Sequence, residues 1–127
     1  LIDGNKLYIS GQLPIRAGKI ASQGQVGNEV TLEAAIEAAQ LCLLNIFALS
    51  RQALDNDLSR LVRCLKIGVF INAASPFADH AIIAYGASDL LIEAMGEKGQ
   101  HGRFAVGVAS LPLNASVEIE ASFEISQ

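Results

Sequence analysis

The chain has 127 residues, enough for one domain with a real core and too few for two. It is 51% hydrophobic and only 17% charged, with a mean hydropathy of +0.38, which excludes a disordered chain. The formal charge is −4, the pI is near 5.0 and the nine Lys and Arg are scattered, so there is no basic footprint for nucleic acid.

Asn5 to Ser10 alternates and ends at Gly11, which reads as a first short strand. Gly11-Gln12-Leu13-Pro14 makes a turn or bulge, and Ile15 to Ala21 passes through Ala17-Gly18 as a hairpin tip. Ser22 to Val30 is polar and holds two glycines, hence a loop. Thr31 is a good helix N-cap, with Glu33 in the first turn facing the positive end of the helix dipole. Leu32, Ile36, Ala39, Leu43 and Ile46 share one helical face, which predicts a helix to about Leu54. From Leu41 to Leu49 it is apolar nearly all round and so buried on more than one side.

Leu61 to Ile71 reads as a strand, with Leu65, Ile67, Val69 and Ile71 on one side and Arg63 with them. Asn72 to Pro76 breaks it, and Phe77 to Gly86 carries an ambiguous pattern, with loop as one reading. Ser88 or Asp89 caps a second helix through Leu90, Leu91, Ala94 and Met95, closed by Gly99. Phe104, Val106 and Val108 alternate with Arg103, Ala105, Gly107 and Ala109 in a strand. Beyond Pro112 to Ala115, Val117, Ile119, Ala121, Phe123 and Ile125 alternate with Glu118, Glu120, Ser122 and Glu124. The order ββαβ then αββ predicts an α+β sandwich, one sheet with both helices on one face.

Ala105, Gly107 and Ala109 suggest a free sheet face suited to another subunit, and the apolar excess points to a homo-oligomer. No apolar run reaches the roughly 18 to 20 residues of a membrane span. The start, Leu1 to Gly4, shows no signal-peptide pattern and no Met, so further sequence is expected upstream. Cys42 and Cys64 lack a CxxC pattern and read as buried thiols of a cytoplasmic protein.

Phosphate-cradling GxxxxGK[ST] and GxGxxG loops are missing, as is a GxSxG elbow. His80 and His101 are not at HExxH spacing, so no metal or other cofactor is expected. Arg103 opens a strand of small and apolar residues, where its fork suits a carboxylate; a solvated strand-end arginine is the plainer alternative. Glu118 is likewise either functional or one of four residues on a wet face. If the last two strands form a hairpin, Arg103 and Glu118 lie about 20 Å apart in one chain. A shared site would then need two subunits.

Ser10-Gly11-Gln12-Leu13-Pro14 after a short strand, together with Arg103 to Glu120 (RFAVGVASLPLNASVEIE), resembles the two signature regions of the YjgF/RidA family, the reactive intermediate deaminases also labelled L-PSP endoribonucleases. The stretch Gly86 to Leu91, with His101 to Val108, looks like a divergent branch of it. The resemblance implies a chorismate-mutase-like fold, a homotrimer around a central barrel, and clefts between subunits. It implies hydrolysis of 2-imino acids, or their enamine tautomers, to 2-keto acids and ammonia. By position Arg103 would grip the substrate carboxylate, the backbone at Ala105 would contact the imine nitrogen and Glu118 would orient water. Ser10, Gly11 and Phe77 would line the cleft. Three departures bear on substrate choice. The family's upstream tyrosine has no counterpart, its F-x-x-x-N pattern reads Phe77-Ala78-Asp79-His80-Ala81, and Phe104 and Gly107 stand near the arginine. Asp79, His80 and His101 are alternative polar groups. Two other functions compete with deamination: non-catalytic binding of carboxylate metabolites, and RNA cleavage or translation inhibition, which the acidic charge disfavours.

Overall fold

The structure, a computed structural model, describes all of residues 1–127. Apolar alternation at Leu7 and Ile9 makes strand β2 (Lys6–Gln12), with β1 (Ile2–Asp3) paired antiparallel to it at the sheet edge. Strands β3 (Ile15–Arg16) and β4 (Lys19–Ile20) form a separate small hairpin. It turns at Ala17 and Gly18, as expected, both with positive φ (51° and 77°). Helix α1 (Leu32–Ala53) starts where the Thr31 hydroxyl accepts a hydrogen bond from the Ala34 N–H at 3.1 Å. Strand β5 (Leu61–Asn72), helix α2 (His80–Met95), and strands β6 (Gly102–Val108) and β7 (Val117–Ile125) complete the fold. Thr31 and Leu54 bound α1 as the periodicity predicts.

The main sheet has the order β1-β2-β7-β5-β6. Only β5 and β6 run parallel, and α2 is the crossover between them. Both helices cover one face, where Leu43, Ile46, Ile67, Ile71, Ile83, Leu91, Ile119 and Phe123 are fully buried. Each such side chain contributes about 1.5–3 kcal/mol relative to an exposed one. This is the α+β layer arrangement expected, with one mixed sheet.

Several expectations need correction. The second helix begins eight residues before Ser88, at His80. Ile83, Ala84, Ala87 and Leu91 bury its inner face at helical spacing, a pattern obscured by Gly86. That glycine is where the helices touch: a Cβ there would sit 2.9 Å from the backbone oxygen of Ile36. The helix ends at Met95, capped by Gly96 (φ 63°) rather than Gly99, which closes a following 3₁₀ turn. Strands β6 and β7 are not hairpin partners, because β5 lies between them. In β5, irregularities between Leu61 and Arg63 and between Cys64 and Lys66 reset the alternation. Arg63 therefore leaves the Ile67 side, forms an ion pair with half-buried Glu124 at 3.5 Å, and cedes the interior to Cys64.

The small residues of β6 also face the other way from the expectation. Ala105 packs against the core, and Gly107 lies under His80, because the segment leading into α2 passes close there. The uncovered face instead carries Lys66, Phe70, Phe104, Val106, Glu118 and Glu120. Phe104 lies across Gly68, edge-on to Phe70 with centroids 5.3 Å apart, and Lys66 Nζ sits 5.5 Å above its ring.

Helix α1 is long and apolar enough to pass as a membrane span, with mean hydropathy 1.6, contrary to the expectation that no segment is. Ala35, Ala38, Ala39, Cys42, Leu43 and Ile46 nevertheless bury one of its faces in the core of the α+β domain.

Cys42 and Cys64 are free and buried, as expected. Burial pushes the Cys64 thiol up to about 12, from an ordinary 9.0. Burial first, and then the Glu118 carboxylate, raise Cys42 further. An unfolded chain loses these protons from about pH 9 while the native state keeps them, so stability falls as pH rises from 9 toward 12. Denaturant midpoints should fall across that window, with a shallower slope in Cys64→Ala; equal slopes would contradict the assignment. Gly86→Ala provides a second test. In an exposed helix it would stabilise by about 1 kcal/mol, but against the Ile36 carbonyl it should destabilise by about 1–3 kcal/mol in urea unfolding.

Candidate functional site

Arg103 is the second residue of edge strand β6 and pairs with Ile67, which turns its side chain toward the helices. It is partly buried and reaches α2. There Nη1 donates to Ser88 Oγ at 3.1 Å, and the guanidinium carbon lies 4.6 Å above the Tyr85 ring. Ser88 also lies 2.8 Å from His101 Nε2, and His101 Nδ1 faces the Gly99 carbonyl oxygen. Tyr85, Ser88, Ile92, Gln100, His101 and Arg103 line an open recess of about 390 Å³. No carboxylate stands within ion-pair distance of Arg103; the sole salt bridge joins Arg63 and Glu124. A partly desolvated guanidinium with a stacking partner, one neutral acceptor and no counter-charge is equipped to take an anion.

Glu118 belongs to the other face. It pairs with Phe70, as Val106 does, while Arg103 pairs with Ile67. Two strand spacings and three residues separate Arg103 and Glu118, about 14 Å between Cα atoms, shorter than the hairpin distance. The sheet itself stands between the two side chains. Gly11, at the irregularity in β2, makes room for the Glu118 carboxylate, which occupies the space a Cβ would take. Ser10 lines a recess of about 290 Å³ on that same uncovered face, with Tyr8, Lys66, Gly68, Glu120 and Ser122.

Phe77 sits at the opposite end of β6 from Arg103, packed edge-on to His80 with centroids 5.0 Å apart. With Ala73, Ser75, His80, Gly107 and Ala109 it lines a third recess of about 290 Å³. Ala105 lies between the two ends, half-buried against the core. A single chain thus brings Ser10, Gly11 and Glu118 to one face, and Arg103, Ala105 and Phe77 to the other. No three His, Cys, Asp or Glu side chains converge closely enough to hold a metal ion.

The sequence reading did not single out Tyr85 and assigned Ser88 only a capping role. Once α2 is extended back to His80, residues 85, 88 and 92 fall at steps of three and four, one stripe flanking the strand that carries Arg103.

The fold has counterparts among known proteins. The family described as "YjgF/chorismate mutase-like, putative endoribonuclease" matches residues 1–123. A crystal structure of Atu1372 from Agrobacterium tumefaciens, described as of unknown function, superposes with a TM-score of 0.98 at 48% identity. That match covers 99% of this chain and 79% of Atu1372. Protein TCP17 of Trypanosoma cruzi is 40% identical over 97% of this chain and 77% of its own length. The structure of Escherichia coli TdcF with bound serine is similar at 25% identity and a TM-score of 0.70, over 99% of this chain and 85% of that one. The chain belongs to the YjgF/chorismate mutase-like family.

Proposed function

We propose that the protein hydrolyses small 2-imino acids, or their enamine tautomers, to 2-keto acids and ammonia at clefts between the subunits of a homotrimer. The observation that carries this reading is the Arg103 guanidinium, poised over a recess without an acidic partner. A substrate carboxylate is its natural counter-charge. TdcF, with its bound serine, supports a carboxylate-bearing small molecule as the ligand class.

The reaction asks little of the protein. Water adds to the C=N carbon, the nitrogen collects protons and leaves as ammonia, and the former water oxygen becomes the keto oxygen. The imine carbon is already electrophilic, so a gripped carboxylate, a backbone contact at Ala105 and one oriented water suffice without a cofactor. Glu118 is the residue to orient that water. Since it lies across the sheet from Arg103, it must come from a neighbouring copy. Ser10, Gly11 and Phe77 would complete the walls of such a shared cleft. The uncovered Phe70, Phe104 and Val106 face supports association through the sheet, and the two free, buried thiols suit a cytoplasmic setting.

A second reading, a non-catalytic carboxylate binder, gains support from the Arg103 recess itself. His101 lines that recess, and its Nε2 is already engaged by Ser88. Ribonuclease activity, which the family description names, fits poorly with a charge of −4 and no basic patch.

An amino-acid oxidase that generates 2-iminopropanoate separates the two leading readings. The protein should accelerate imine decay, Arg103→Ala should lose about 10²-fold and Arg103→Lys about tenfold. Saturable binding of pyruvate without any acceleration would establish the binder instead. Gly11→Ala tests the acidic side of the cleft. Because the displaced group is the end of a flexible carboxylate, unfolding free energy should stay within about 1 kcal/mol of wild type. Turnover should fall while KM holds, and unchanged turnover would remove Glu118 from the chemistry.

A further inference from the structure

Arg103 ends a chain of hydrogen bonds whose direction is set by chemistry at both ends. A guanidinium only donates, so Nη1 gives its proton to Ser88 Oγ across 3.1 Å. A backbone carbonyl only accepts, so the His101 nitrogen facing Gly99, Nδ1, carries the ring proton. In a neutral ring this leaves Nε2 bare, and at 2.8 Å it accepts from the Ser88 hydroxyl. The relay runs in one sense: Arg103 to Ser88, Ser88 to His101, His101 to Gly99.

Its fixed points are rigid. Ser88 is in mid-helix and 6% exposed. Gly99 is buried against α2 so closely that a Cβ there would meet the Leu91 carbonyl, which pins the terminal acceptor. The Tyr85 ring, 4.6 Å from the guanidinium carbon, adds a cation–π contact on one side of the fork. Only Nη1 makes a hydrogen bond within the protein, so the Nε and Nη2 edge is available to a ligand.

We propose that Ser88 and His101 are positioning residues that present the free edge of Arg103 to a carboxylate in a single orientation. The proposal rests on the reading of Arg103 as the carboxylate grip, and goes beyond it by naming what aims the grip. An arginine on a flexible stem loses side-chain entropy when it closes on an anion, whereas one already tethered loses less. The relay should therefore act on substrate affinity and leave the chemical step largely alone.

Two measurements test it. In protein labelled with ¹⁵N at His and Arg, His101 should show the Nδ1–H tautomer, and the Arg103 Nη protons should be separate and slow to exchange. Ser88→Ala and His101→Ala should collapse the Nη signals; an Nε2–H tautomer, or Nη signals unaffected by both variants, overturns the relay. In titrations with 2-oxobutanoate, and in imine turnover, the same variants should weaken binding and raise KM about 5–10-fold with kcat little changed. Ser88→Thr, which keeps the hydroxyl, should stay within about twofold. In an Arg103→Ala background Ser88→Ala should have no further effect; an undiminished effect there would show that it acts independently of Arg103. Wild-type protein that ignores 2-oxobutanoate would overturn the carboxylate reading, while the spectra alone would decide whether the tether exists.

Discussion

The parallel pairing of β5 with β6 is the constraint on which the functional geometry depends. By placing β5 between β6 and β7, it sets Arg103 in register with Ile67 and Glu118 in register with Phe70. Neighbours in register share a face, so the two charged residues emerge on opposite sides of the sheet. The same pairing requires a crossover, and that crossover is α2, which brings Tyr85 and Ser88 over the start of β6. Arg103 and Glu118 thus take their places from one topological choice, the first facing the helix layer and the second facing away. A site that uses both belongs to an assembly.

The uncovered side of the sheet is consistent with that conclusion. Phe70, Phe104 and Val106 stand together on a face with no second layer in this chain, and an ammonium over one ring softens the arrangement only in part. Gly11 and Gly68 show how closely this face is fitted, one accommodating the Glu118 carboxylate and the other the Phe104 ring. On the helix side the packing is equally close, with Gly86 against α1. The glycine contacts differ in consequence: a flexible carboxylate can move away from a new methyl group, and a helix backbone cannot.

How much of this was legible in the sequence depended on whether the responsible interaction is local. Thr31 and the spacing of Leu32, Ile36, Ala39, Leu43 and Ile46 define α1 within its own segment, and the alternation from Val117 to Ile125 does the same for β7. The early start of α2 was hidden because Pro76 and Gly86 look like breakers, although Gly86 serves contact with α1. Parity in β5 fails at its irregularities, which no periodic pattern announces, and so Arg63 was placed on the wrong side. The neighbour of β6 is chosen by long-range pairing, and two consecutive strands with a short connection invite the wrong inference of a hairpin. Arg103, Glu118, Ser10 and Gly11 drew attention through motif resemblance; the contacts of Arg103 with Tyr85 and Ser88 did not, because they follow from the true extent of α2.

The central claim, that Arg103 and Glu118 act together only across a subunit boundary, has a direct test in complementation. Arg103→Ala and Glu118→Gln chains, each inactive alone, should be co-expressed and the mixed oligomers assayed for imine hydrolysis. Random assortment predicts that activity returns at about one cleft in four, where an intact arginine meets an intact glutamate from the next copy. A mixture as inactive as its parents would contradict the account.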